Sequence, residues 1–331
     1  MDRLRVGVIG VGKMAEIRHL PILAELPQVE LVAFCDTSAE NLAARGDEYG
    51  VAARYADHHE MFEAETLDAL CIFIPPFAHT DAEIIAAQRG IHLFVEKPPT
   101  LSMDQAHKVN AAIAEAGVIS QVGFNSRYRH SAEVARERLA GRVVTQALVH
   151  RLHGSGALAW WWKVERFSGG PFVENTIHYV DLLRWLAGEF AGVSARVVDR
   201  PDPTEELDIP LSISATFALE SGGVATVTTC AALERAGHAQ FLVVADGALY
   251  DLSDSSLIID RERIADDGER RNCYEAEFAA FFDAIIVGDQ SRARSPYQDG
   301  ARSLAAVLGA VHSARNDGAC VDLRDPAWAV D

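Results

Sequence analysis

Three groups of residues in this 331-residue chain have types and spacings that could do chemistry. Gly10-Val11-Gly12-Lys13-Met14-Ala15 has the form G-x-G-x-x-A. In such a loop the first glycine permits a tight turn, and the second lets a pyrophosphate approach the backbone. The small third residue lets a helix pack against the preceding strand. Free N–H groups and the positive dipole end of that helix attract phosphate. Asp36 lies 26 residues after Gly10, where a carboxylate accepts hydrogen bonds from a ribose diol and repels a 2′-phosphate. Thr37, Ser38 and Ala39 offer no arginine to hold such a phosphate, so NAD is favoured over NADP, which stays possible. Lys13 faces phosphate or solvent, and both readings are open. Next come Glu96-Lys97-Pro98 after an apolar run, and Glu174 four residues before His178. An amine or an imidazole with a neighbouring carboxylate can hold or move a proton.

These residues need elements to position them. Short apolar runs at 5–9, 31–35, 67–74, 91–95 and 118–122 alternate with helical segments at 38–49, 80–89 and 103–116. That pattern predicts a parallel sheet covered on both faces. Lys97 and Glu96 then sit at the carboxyl end of a strand, where open α/β sheets bind ligands. The second half changes character. Strands are expected at 145–153, 211–219, 223–230 and 240–245, and Ile213, Ala215, Phe217 and Leu219 share one side. Period-2 alternation fits an antiparallel sheet, and Ser221-Gly222-Gly223 reads as a hairpin turn. Helices are expected at 172–187, 275–287 and 299–316, and 201–210 reads as a loop. Pro171 suits a first helical turn. Glu174, His178, Asp181 and Trp185 then follow one helical face. The predicted organisation is α/β: a Rossmann domain over 1–122, and an α+β domain with a large, mostly antiparallel sheet over 123–331.

Asp and Glu number 48 against 30 Lys and Arg, a net charge of −18. Nucleic acid and anionic membrane surfaces demand a basic face, so neither is an expected partner. The chain opens almost directly into a strand, and no apolar run approaches the ~18 residues of a membrane helix. No signal peptide is expected. Five scattered cysteines without a C-x-x-C argue against a disulfide framework or a metal site. A soluble protein of a reducing cytoplasm is the expectation. Of the 30 basic residues only Lys13, Lys97, Lys108 and Lys163 are lysine.

The strand, the glycine loop, Asp36, Ile74-Pro75-Pro76-Phe77-Ala78-His79 and Glu96-Lys97-Pro98-Pro99-Thr100, in this order, resemble the Gfo/Idh/MocA family of oxidoreductases. The likeness covers essentially the whole chain. Gly123-Phe124-Asn125-Ser126-Arg127 looks like the segment after that family's fifth strand. Gly169-Gly170, followed by Glu174 and His178, looks like its remaining signature, although most relatives carry aspartate where Glu174 stands. The resemblance implies hydride transfer between nicotinamide and a sugar, inositol or related polyol. Lys97, His178 and Glu174 are the implied catalytic residues. Gly10, Gly12, Lys13, Met14, Asp36, Pro75, His79, Glu96, Lys97 and Asn125 are expected to hold the cofactor. Arg127, Tyr128, Asn175, Glu174, His178 and Lys97 are expected to meet substrate. His178 exchanging the proton while Lys97 holds the hydroxyl, and the reverse, are both open. His153 and Trp161-Trp162, of the run Trp160-Trp161-Trp162, are further substrate contacts expected from their chemistry, since an indole suits a sugar face. A buried anchor at a domain or subunit interface is the other reading of the tryptophans. Relatives that cleave glycosides through transient oxidation, and relatives that only sense cofactor, supply the alternative functions. A homodimer or homotetramer through the second-half sheet is the implied assembly.

Overall fold

The computed structural model describes residues 3–154, 159–234, 237–253, 256–269, 272–325 and 327–329. The chain forms two compact units, Met1–Asn125 with Asn272–Gly300, and Ser126–Arg271 with Ala301–Asp331. No helix among the described residues is long and apolar enough to cross a membrane.

The first unit is built on strands β1 (Leu4–Ile9), β2 (Val29–Cys35), β3 (Ala53–Tyr55), β4 (Ala69–Ile72), β5 (His92–Val95) and β6 (Ser120–Val122). Among the described residues they form one sheet in the order β3-β2-β1-β4-β5-β6, and every pairing is parallel. The order reverses between β1 and β4, so the carboxyl ends of these two strands flank the switch point where such sheets bind ligands. The apolar runs read from sequence become β1, β2, β4, β5 and β6. The predicted helices appear as Ala39–Tyr49, Ala82–Gln88 and Met103–Ala116. Ser38 caps the first by accepting from Asn41 N–H, and Ser102 caps the last by accepting from Gln105 N–H.

The second domain predicted as 123–331 requires a correction. Asn272–Gly300 belongs to the first unit. Its helix Cys273–Val287 inserts Phe278, Phe281 and Phe282 into the core that holds Val6, Val8, Phe34, Phe73 and Phe94. Each fully buried Phe contributes about 1.5–3 kcal/mol of transfer free energy. Ser295 O accepts from Val122 N–H at 2.8 Å, extending the edge at β6.

The second unit holds β7 (Val144–Leu152), β8 (Phe190–Val198), β9 (Ser212–Leu219), β10 (Val224–Cys230), β11 (His238–Ala245), β12 (Ala248–Asp251), β13 (Ser256–Ile259), β14 (Glu262–Asp266) and β15 (Val321–Asp322). Their order is β14-β13-β12-β11-β7-β10-β9-β8-β15. Only β7 with β10 is parallel among the described pairings. Ile213, Ala215, Phe217 and Leu219 are buried while the residues between them are not, as the alternation requires. Gly222 takes φ +91° in the predicted hairpin turn.

One predicted helix differs. The segment expected at 172–187 forms Gly170–Glu174 and Ile177–Ala187, separated by a turn at Asn175–Thr176. The N–H groups of Asn175 and Thr176 both go to Pro171 O at 3.1 Å. The ladder thereby gains a residue at that point, and Glu174 and His178 do not share one unbroken helix.

Candidate active site

The glycine loop follows β1 as its sequence requires. Gly10 has φ +87°, and a Cβ there would meet Phe73 O at 2.7 Å, so only glycine fits. At Gly12 a Cβ would find only Asn41 Nδ2 at 3.8 Å, which leaves the backbone open on that side. This open cradle, at the start of a helix whose first N–H groups lack intrahelical partners, suits a dinucleotide pyrophosphate. The Asp36 carboxylate is fixed by the loop it serves. Its Oδ2 accepts from Val11 N–H at 2.9 Å, and Oδ1 accepts from Ser38 N–H at 2.8 Å. A carboxylate has about four lone-pair sites, so two remain for a ribose diol. Lys13 is an exposed cation whose Nζ lies 3.0 Å from Glu16 Oε2. That contact, first, and Arg45 beyond it hold the Glu16 carboxyl below its usual range. Met14 is exposed beside it.

Pro75 precedes a short turn, Pro76–Ala78, after β4. His79 follows that turn, and its imidazole is buried against Glu83 in an i,i+4 pair. Its side chain is thus committed to the interior of the first unit. Beyond β5, Glu96 Oε2 accepts from Lys97 N–H at 2.9 Å, and Glu96 Oε1 lies 3.0 Å from His19 Nε2. The carboxylate is directed into the unit, while Lys97 is partly exposed at the strand's carboxyl end. Asn125 is buried at the close of the segment after β6. The sequence reading missed His19, whose signal was slight: one histidine on the first helix.

In the second unit, Arg127 departs from its expected role as a substrate contact. It is 2% exposed. Its Nε donates to Asp181 Oδ2 at 2.8 Å and its Nη2 to Asp181 Oδ1 at 2.6 Å. Ser303 Oγ donates to the same Oδ1 at 2.8 Å. Arg184 Nη1 donates to Ser303 Oγ at 2.7 Å, and its other nitrogens meet Glu189. Both prongs of the Arg127 fork are therefore spent on the helix that carries His178. Tyr128 is buried beside it in sequence. Glu174 is buried, while Asn175 and His178 are partly exposed.

His153, at the end of β7, is 9% exposed. Its Nδ1 lies 3.2 Å from Gly154 O, and its buried Nε2 has no partner among the described residues. Burial pushes its pKa down, the hydrogen bond to Gly154 opposes this, and Arg151 adds to the lowering. With Nδ1–H donated to Gly154 O, the neutral ring presents Nε2 as an acceptor. The tryptophans lie in the turn Trp160–Lys163, where none is buried. Trp161 and Trp162 meet edge to face at 5.7 Å, and Trp160 is exposed against Phe167.

Elsewhere in the first unit, Asp57, His58 and His59 bring ligand-type atoms within 4.8 Å of one another. His58 Nε2 is already 2.8 Å from Asp81 Oδ1.

Known proteins are similar to this chain in the same order of parts. Residues 4–124 match the family model described as the oxidoreductase family with an NAD-binding Rossmann fold. Residues 128–249 match the GFO/IDH/MocA C-terminal domain. The scyllo-inositol 2-dehydrogenase (NAD(+)) of Bacillus subtilis is 29% identical over 202 residues, 60% of this chain and 59% of that protein. The myo-inositol 2-dehydrogenase of Thermotoga maritima is 28% identical over 56% of this chain and 55% of its own length. The chain thus spans somewhat over half the length of these curated relatives. A levoglucosan dehydrogenase solved with NADH and L-sorbose superposes with a TM-score of 0.83, covering 97% of this chain and 99% of that one at 19% identity. An Agrobacterium radiobacter oxidoreductase solved with NAD+, L-tartaric acid and magnesium gives a TM-score of 0.84 at 19% identity, with 97% and 98% covered. By the two family models that span residues 4–249, this chain belongs to the Gfo/Idh/MocA oxidoreductase family.

Proposed function

We propose that the protein is an NAD-dependent dehydrogenase or reductase acting on a hydroxyl or carbonyl carbon of a sugar, inositol or related polyol. The observation that carries this reading is the Asp36 carboxylate, fixed by Val11 and Ser38 N–H beside an open Gly12 backbone, in the same unit as Lys97. Bound NAD would supply the hydride acceptor. Asp36 would hold the adenosine ribose, and the loop N–H groups the pyrophosphate. When a C–H leaves as hydride, the hydroxyl proton needs an acceptor. We assign that proton to His178, oriented by Glu174, and assign to Lys97 the holding of the substrate oxygen. A lysine ammonium donates to a developing alkoxide and can change protonation, which a guanidinium cannot. His153 Nε2, an acceptor, and the exposed faces of Trp161 and Trp162 would hold hydroxyl and ring.

Support for polyols comes from the relatives' names. The test is a nicotinamide absorbance screen with NAD and NADP against inositols, aldoses, uronates and aryl glycosides. Net NADH from a free polyol, abolished in Lys97→Ala and His178→Ala, is expected. Normal turnover in both variants, or aglycone release without net NADH, overturns the reading.

We also propose that the open face of the second-unit sheet is covered by a second copy. Leu148 and Val224 are 42% and 45% exposed there. Leu148 pairs with Leu242 and Thr226 across the strands, and Leu249 pairs with Val244 on the same side. Such a patch marks an interface in soluble proteins. Light scattering should give a dimer or tetramer, and Leu148→Glu with Val224→Glu should give a monomer.

A further inference from the structure

His19 is the least expected residue of the first unit. The helix after the glycine loop contains a wide, π-type turn at Ala15–His19, closed by Leu20 N–H to Ala15 O. Such turns insert a residue and rotate the rest of the helix. Here Met14 and Ile17 lie exposed while His19, a polar ring, is fully buried. Its ring stacks on Phe73 with centroids 4.2 Å apart and 26° between planes. Phe278 and Tyr274 meet it edge-on. The imidazole is thereby fixed at the end of β4, with Nε2 3.0 Å from Glu96 Oε1. The approach is a close polar contact rather than an aligned hydrogen bond. The other Glu96 oxygen accepts from Lys97 N–H at 2.9 Å. A Cβ on Gly123 would stand 3.2 Å from the Glu96 carboxyl carbon, so the carboxylate is packed against the end of β6 as well. Glu96 N–H goes to Ile72 O at 2.9 Å.

We infer that His19 is a positioning residue: through the Glu96 carboxylate it ties the phosphate-binding helix to the backbone of Lys97. Burying a carboxylate is costly unless charge or donors face it. Glu96 has the Lys97 N–H as a donor on one side and the imidazole in polar contact on the other. Take the imidazole away and the carboxylate loses one of the faces that fix it. The acceptor of the Lys97 N–H then shifts, and the origin of the amine shifts with it. A misplacement of about 1 Å at a reacting group can cost about a hundredfold in rate. This inference rests on the proposed function only in taking Lys97 as the acting amine.

The scarcity of lysine supplies a test independent of substrate. With only Lys13, Lys97, Lys108 and Lys163 present, reductive methylation with isotope-labelled formaldehyde gives few NMR signals. The Lys97 signal is identified by its loss in Lys97→Arg. In His19→Leu, which keeps bulk and removes the ring nitrogens, the Lys97 signal and its titration should move while those of Lys108 and Lys163 stay. His19→Gln, which restores a donor toward Glu96, should return the Lys97 signal most of the way. Glu96→Gln, close to the native shape, should move it as His19→Leu does, and covers the case where the leucine variant does not fold. On the best substrate kcat should fall roughly tenfold to a hundredfold with KM nearly unchanged. An unmoved Lys97 signal in His19→Leu and Glu96→Gln, or an equal shift in His19→Gln, overturns the inference. If the wild-type protein oxidises no polyol, the proposed function fails while the lysine signals still decide the role of His19.

Discussion

Arg127 shows how a residue's chemistry and its use can part. A guanidinium after the sixth strand fits an acidic or hydroxylated ligand as well as it fits a carboxylate within the chain. The structure gives it to Asp181, 54 positions later, with both prongs engaged. Arg127→Met would take both of these donors from the buried Asp181 carboxylate while Ser303 stays beside it. Breaking a buried pair in this way costs about 3–5 kcal/mol, whereas replacing both members by apolar residues is often near neutral. Urea melts of Arg127→Met, and of Arg127→Met with Asp181→Leu, should therefore show the single variant as the less stable. A large rise in KM with unchanged stability would return Arg127 to the substrate. Asp36 is the opposite case, a residue whose local motif settled its place. Asp36→Asn keeps the size but offers one acceptor oxygen to the two N–H donors at Val11 and Ser38. A hydrogen bond to a charged group is worth about 1.5–3 kcal/mol. NADH affinity by fluorescence titration should drop about tenfold or more, and the preference over NADPH should narrow.

The elements differ in how much of themselves they show in sequence. The later residues of β1 and β2, all of β4 and nearly all of β5 are buried, so they read as apolar runs. β3 is three half-buried residues, Ala53-Arg54-Tyr55, which leave no run to detect. β12 to β15 span two to five residues each, too few for a period of two to accumulate. The turn at Asn175–Thr176 is invisible to helical spacing, because the residues on both sides keep their apolar faces. Pairings between distant elements are equally silent, as with His92 at the start of β5. Its Nδ1 accepts from Ile119 N–H at 2.9 Å, just before β6. Burial lowers the His92 pKa from 6.5, with Asp68 opposing. The sign follows from linkage. Below about pH 6.5 the unfolded chain binds a proton that the folded protein refuses, so stability rises with pH across that window and is lost on acidification. Protonation would also turn the acceptor nitrogen into a donor facing Ile119 N–H. Hydrogen exchange at Ile119, corrected for its intrinsic pH dependence, should show falling protection as pH drops from about 7 to about 5. His92→Asn retains an acceptor without titrating, and should flatten that dependence.

At the scale of the whole molecule, the decisive matter is which stretches of chain make one core. The sequence changes character near Gly123, where the motif-bearing βαβ pattern stops, and the first stretch of the first unit ends at Asn125. The return of 272–300 was not legible in sequence, since a helix stripe of Phe278, Phe281 and Phe282 looks alike whichever core it fills. Those three rings close the same core as Phe34, Phe73 and Phe94, and Phe278 packs within 4.5 Å of Phe94, centroid to centroid. A fragment of residues 1–122 would thus carry the whole glycine loop, Asp36 and Lys97 yet lack a wall of its hydrophobic core. Truncating one such Phe to Ala typically costs about 3–5 kcal/mol, and a domain of this size holds only about 5–15 kcal/mol in all. The fragment should therefore bind hydrophobic dye, melt without a cooperative transition and bind NADH far more weakly than the full chain. Joining residues 272–300 to residues 1–125 through a flexible linker should restore a cooperative melt that NADH shifts upward. A fully cooperative, NADH-binding fragment of residues 1–122 would show that the phenylalanine helix is dispensable to the first unit. Phe282→Ala in the intact chain gives the same answer from the other side. Although it lies far along the sequence from the cofactor loop, it should lower the stability of the unit that binds NADH, and saturating NADH should recover part of the loss.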